Sequence, residues 1–131
     1  MGVAENIDTV RRFYRAGAAD DDTMREQFFA ADAVWHVPGN NPVTGPYHGV
    51  DEIRHEMARR MEPLTGWWIV PHIVMGNGDM VVAIVSISGI RRGREIDTTG
   101  AHAFRFGEDG RIVEAWGFSA DQARLDDFFR A

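Results

Sequence analysis

In the segment Ala101-His102-Ala103-Phe104-Arg105-Phe106, strand alternation places His102, Phe104 and Phe106 on one face and Ala101, Ala103 and Arg105 on the other. The phenylalanine face reads as the inner one, so His102 is an imidazole set in an apolar wall. With an ordinary pKa of about 6.5 it could serve as base, acid or hydrogen-bond donor, or be a packed histidine satisfied by one neighbour. Tyr14 lies on a helical stripe with Ile7, Val10, Phe13 and Gly17. Its phenol could donate to a ligand oxygen, or the ring could be buried and the hydroxyl wetted. Trp35, Trp67, Trp68 and Trp116, with Phe104 and Phe118, could line a pocket for a flat or polycyclic molecule, because aromatic walls supply apolar area at little entropic cost; they could equally be core. Alternation lets only one of Trp67 and Trp68 face inward. The expected substrate-binding set is Trp35, Val37, Trp68, Phe104, Trp116 and Phe118, with His102 and Tyr14 as the polar candidates on its wall.

Other chemistries lack their residues. The chain has no cysteine, which excludes disulfides, thiolate nucleophiles, zinc–thiolate sites and iron–sulfur clusters. His36, His48, His55 and His72 show no ligand spacing, and His55-Glu56-Met57-Ala58-Arg59 begins like a zincin helix but has arginine where the second histidine must stand. No metal site is expected. Gly76-Asn77-Gly78 is a turn between strands with no helix after it, and neither a phosphate loop nor a nucleophile elbow occurs, so no cofactor is implied. His36 alternates away from Trp35 and Val37. Asp97 and Glu114 read as sheet carboxylates, outward and solvated or else pocket acids, and Asn40 and Asn41 belong to a turn-rich loop at a possible cavity rim.

The 131 residues carry 14 Arg and no Lys against 20 Asp and Glu, a net charge of −6. A nucleic-acid-binding module needs a basic stripe; the longest basic run here, Arg91, Arg92 and Arg94, reads as a hairpin tip. At 44% hydrophobic and 26% charged residues the composition is that of a globular chain, and the length suits a single domain over 1–131. The apolar run Met80–Ile90 falls far short of the ~20 residues that span a bilayer, and Met1 to Asp8 lack the cationic and apolar regions of a signal peptide. The expectation is a cytoplasmic protein with neither membrane nor nucleic-acid partner.

The elements follow from periodicity. Helices are predicted from about 5 to 18, from the Thr23/Glu26 capping box to about Phe29, and from about 50 to 62, where Pro63 ends the last. Ala33–Val37 reads as a first strand that enters the rigid loop Pro38-Gly39-Asn40-Asn41-Pro42. Trp67–Met75, Met80–Ile90, Glu95–Phe106 and Arg111–Phe118 form an antiparallel meander. Two of these strands approach ~40 Å at about 3.3 Å per residue, so the sheet must curve, with Gly89 and Gly100 as candidate bends. Ser119 and Gln122 read as a second capping box, opening a C-terminal helix with Leu125, Phe128 and Phe129.

This order, with Phe13-Tyr14, Ala31-Asp32-Ala33-Val34-Trp35, Gly45-Pro46-Tyr47-His48-Gly49 and Asp109-Gly110-Arg111-Ile112-Val113-Glu114-Ala115-Trp116, resembles the SnoaL-like and ketosteroid-isomerase-like branch of the nuclear-transport-factor-2-like superfamily over nearly the whole chain. The resemblance implies an α+β fold: a cone-shaped curved antiparallel sheet wrapped around three N-terminal helices, enclosing a deep apolar pocket, with a short C-terminal helix and a homodimer formed through the outer sheet face. It puts Tyr14 at the isomerase tyrosine and His102 at the isomerase acid. It also puts Val37 where the isomerase base stands, Gly117 where the cyclase acid stands, and Ser86 and Ser88 in place of the epoxide-hydrolase charges. Three function classes follow from it. One is a cofactor-independent isomerase or cyclase moving protons on an apolar cyclic or polyketide-like substrate; another is a ligand-binding protein without catalysis; the third is a dimeric interaction module.

Overall fold

The structure, a computed structural model, describes residues 2–18 and 27–131. Helix α1 (Val3–Ala18) buries Val10, Phe13 and Tyr14 on the stripe that its periodicity marks. It is followed by strands β1 (Phe29–Val37) and β2 (Gly45–His48) and by helix α2 (residues 49–61), whose middle, Glu52–Glu56, is a π-helical turn. Four long strands come next: β3 (Leu64–Asn77), β4 (Met80–Arg91), β5 (Arg94–Phe106) and β6 (Ile112–Ser119). Helix α3 (Gln122–Arg130) closes the chain. The predicted helix at Thr23 lies outside the described residues. Its predicted end at Phe29 does not hold, because Gln27 and Phe28 form a turn and Phe29 opens β1. No helix of the described residues is long and apolar enough to cross a membrane.

One sheet holds all six strands in the order β2-β1-β6-β5-β4-β3. The expected fully antiparallel sheet is in fact mixed: β1 and β6 run parallel, with Trp35 opposite Ala115 and His36 opposite Trp116. No hairpin joins these two strands, so nothing local forces them to oppose each other. The sheet's inner face, with Val81, Ala83, Val85, Ile87, Phe104, Phe106, Ile112 and Ala115, packs on α1. Curvature comes from bulges in β3, between Leu64 and Gly66 and between Pro71 and Ile73, and from close approach at the two glycines. A Cβ on Gly100 would stand 2.4 Å from the Phe118 carbonyl oxygen, and one on Gly89 would stand 2.7 Å from the Trp67 ring.

Two polar clamps hold the far wall. Buried Arg91 donates to the carbonyls of Met61, Glu62, Phe128 and Ala131, joining β4 to the ends of α2 and α3. Buried Asp126 accepts at one oxygen from the Asn40 amide (3.0 Å), the Asn41 side chain (2.7 Å) and the Gln122 side chain (2.9 Å), tying the loop after β1 to α3. Gln122 is therefore not half of a capping box. The helix is capped by Asp121, whose carboxylate accepts from the Arg124 amide at 3.1 Å, while Ser119 accepts from the Asp121 amide.

Candidate functional site

Between α1, α2, α3 and the inner sheet face lies a cavity of about 690 Å³, open to solvent. This is within the size range of small-molecule sites, roughly 300–1,000 Å³. Phe13, Tyr14 and Gly17 come from α1; Trp35, Val37, Pro38 and Val43 from β1 and its loop; and Ile53, Arg54, Met57, Ala58, Met61 and Glu62 from α2 and its end. The sheet contributes Trp67, Ile69, Ile87, His102, Gly117 and Ser119, and α3 adds Leu125 and Phe129.

The cavity wall brings Tyr14 and His102 together across 88 positions of sequence, with 2.6 Å between the phenol oxygen and Nδ1. Their rings lie nearly parallel at 5.9 Å, and Trp35 and Phe104 meet the imidazole edge-on at 5.5 and 6.0 Å. Burial alone lowers the His102 pKa to about 4 and raises the phenol above its ordinary value. Both groups are thus neutral at pH 7. The phenol O–H is the stronger donor, so it donates to Nδ1, and that assignment puts the imidazole proton on Nε2. Among the described residues Nε2 has no hydrogen-bond partner of its own. Gly117 lies opposite His102 across the β5–β6 pairing, and a Cβ there would sit 3.8 Å from the imidazole Cδ2. The position where the resemblance puts a cyclase acid is thus beside the imidazole, and it carries no side chain.

Trp35 and Val37 line the cavity as expected from their phase. Trp68 and Phe118 border it only at the rim; they are 52% and 56% exposed and stand on the outer phase of their strands. Two expected wall residues are not among its lining. Phe104 is fully buried and packs behind the site on Phe13, Tyr14 and Trp35. Trp116 points out of the sheet and stacks on His36 at 5.6 Å, because its pairing with Ala103 and His36 fixes the outer phase. The inward indole is Trp67, which packs on Phe128 and Phe129 in space left by Gly89. Sequence reasoning also passed over Arg54, which shares its helix with charges that face solvent. Only the stripe Ile53, Met57 and Met61 hinted at which face turns inward.

The remaining histidines scatter: His36 meets Glu114 at 2.7 Å on the outer face, His55 meets Asp51 at 3.5 Å, and His72 bonds Ser86. Glu114 also accepts from Arg105, and Asp97 from Ser88, so both carboxylates lie outward. Asn40 and Asn41 serve the Asp126 clamp.

Comparison with known proteins adds the family context. A family model described as SnoaL-like domain matches residues 10–115. An uncharacterised protein of Mycobacterium tuberculosis strain H37Rv is 29% identical over 126 residues, covering 95% of each chain. Among solved structures, Bal32a from a soil-derived mobile gene cassette superposes with a TM-score of 0.91 at 27% identity, over 98% of each chain. A protein of unknown function with a cystatin-like fold from Xanthomonas campestris does so with a TM-score of 0.88 at 30% identity, over 96% of this chain and 98% of its own.

Proposed function

Because the chain belongs to the SnoaL-like domain family, we propose that its cavity takes an apolar cyclic or polyketide-like ketone, that the Tyr14–His102 pair polarises the ketone oxygen, and that water entering the open cavity takes the proton from the adjacent carbon and returns one to the enolate. The observation that carries this reading is the 2.6 Å hydrogen bond between two neutral groups on the wall of an apolar cavity. Tyr14 positions the imidazole and sets its tautomer; Nε2–H then donates to the carbonyl and strengthens that bond as the oxygen gains enolate charge. A donor of this kind, fixed in a low-dielectric wall, contributes about 10²–10³-fold to such reactions. An imidazole with its pKa near 4 is a poor base at pH 7. Val37 and Gly117 stand where the resemblance puts the isomerase base and the cyclase acid, so neither position supplies a carboxylate. Those two replacements favour a second reading, in which the same cavity binds its ligand without turnover.

The test is deuterium exchange at the α-carbon of 2-tetralone, followed by proton NMR in buffered D₂O. Catalysis predicts exchange above the buffer rate that falls about 100-fold in His102→Gln and about tenfold in Tyr14→Phe. Saturable binding with exchange at the buffer rate would instead establish the binding protein.

We propose further that a second copy of the chain covers the outer sheet face. Trp68, Val70, Ile73, Met75, Ile84 and Phe118 are each 37–56% exposed there. Monomers rarely leave so much contiguous apolar surface uncovered. The polar groups on the same face, His36, Arg105 and Glu114, contain both signs of charge, so the surface can complement itself about a two-fold axis.

A further inference from the structure

Among the described residues lining the cavity, the charged ones are Arg54 and Glu62. Glu62 is exposed at the rim, where Arg91 holds its carbonyl. Arg54 is half-buried, and its Nε is withdrawn from solvent. In a chain of net charge −6, the half-buried ionised side chain in the cavity wall, among the described residues, is therefore a cation. The other arginines of α2 are directed elsewhere: Arg59 and Arg60 both bond Glu56, at 2.5 and 2.9 Å.

We propose that the cavity selects organic acids, with Arg54 reading the ligand carboxylate while the Tyr14–His102 pair reads a neutral oxygen and Trp35, Trp67 and Met57 enclose the ring. This rests on the cavity being a ligand site. Arg54 has contacts within the fold, and the five donors of its planar fork can keep these and still hold a carboxylate. The apolar surroundings strengthen that attraction relative to water. The two polar points are also chemically distinct: a cation favours a charged oxygen, whereas a neutral N–H favours a carbonyl or hydroxyl. A ring carrying both an acid and a ketone or phenol would satisfy both.

The experiment is isothermal titration calorimetry at pH 7 with three probes on one ring: 2-naphthoic acid, methyl 2-naphthoate and 2-acetylnaphthalene. Wild-type protein should bind the acid at least tenfold tighter than the methyl ester, although the ester is the more apolar molecule. Arg54→Gln should bring that ratio to about one with ester affinity unchanged, and Arg54→Lys, which keeps the charge but loses the fork, should fall between. Equal or tighter ester binding by the wild type overturns the proposal without recourse to any variant. So does an acid preference that survives Arg54→Gln, and so does failure of the acid to bind. Binding of the ester and of 2-acetylnaphthalene that weakens in Tyr14→Phe would sustain the cavity as a ligand site even if acid selection failed. Binding by none of the three would remove both.

Discussion

The lowered pKa of His102 affects stability as well as reactivity. The unfolded chain takes up a proton on this imidazole near pH 6.5, but the folded chain does so only near 4, because burial penalises the cation. Below pH 6.5 the unfolded state therefore binds more protons, and the fold loses stability as the pH falls toward 4. The full gap corresponds to about 3 kcal/mol at roughly 1.4 kcal/mol per pKa unit. Urea unfolding at pH 7 and at pH 4.5 should show this loss in the wild type and a much smaller one in His102→Gln. Equal losses in the two proteins would mean that His102 is not held neutral. At this scale the positions of Tyr14 and His102 were legible in the sequence and that of Arg54 was not. The period-2 pattern of β5 marked His102 as inward and the helical stripe marked Tyr14, because both signals are local. Arg54 was illegible, since a charged residue on a mostly charged helix reads as solvated until the packing of that helix is known.

Among the elements, the loop that leaves β1 depends for its position on α3. Pro38 and Val43 line the cavity from this loop, and Asp126 on α3 holds it there through Asn40 and Asn41. Burial pushes the Asp126 carboxyl upward, but hydrogen bonds from Asn41, Gln122 and the Asn40 amide together outweigh this and leave it below its ordinary range. Its contribution is accordingly complete above the ordinary carboxylate range and lost as the pH falls below it. Asp126→Ala strands three donors and should cost about 2–4 kcal/mol, given the ~1.5–3 kcal/mol carried by a hydrogen bond to a charged group. Asp126→Asn, which keeps an acceptor oxygen, should cost less. Chemical denaturation measures both, and equal costs would show that the carboxylate's charge is immaterial. The asparagines could be read as turn formers from sequence, whereas their common acceptor stands 85 residues or more away. The N-cap of α3 departs from the expected Ser119/Gln122 box for the same reason: Gln122 is drawn to Asp126, and the adjacent Asp121 takes over the helix start.

At the scale of the molecule, the six-stranded sheet divides the chain into a cavity side and an outer apolar side. If a second copy covers the outer side, sedimentation equilibrium should give twice 14.7 kDa for the wild type at micromolar concentration and about 14.7 kDa for Ile73→Arg. Ile73 lies outside the cavity lining, so the variant should keep its affinity for cavity probes. A monomeric wild type would leave the outer face with some other role. The sequence by itself determined the kind and order of most described elements, the need for curvature and the inner phase of β1 and β5. Those rest on periods of 2 and 3.6 residues that a short window contains. Tertiary structure decided the parallel β1–β6 seam, the inward turn of Trp67 rather than Trp68, and the outward turn of Trp116. In β6 the small residues Ala115 and Gly117 face inward because Phe104 and His102 already fill the space opposite them, so the larger rings are left outside. Alternation specifies which residues share a face. In β3 and β6, where both faces carry large apolar residues, which face becomes the inside is set by pairing with distant strands and by the bulges that shift register, and neither is written in the local pattern.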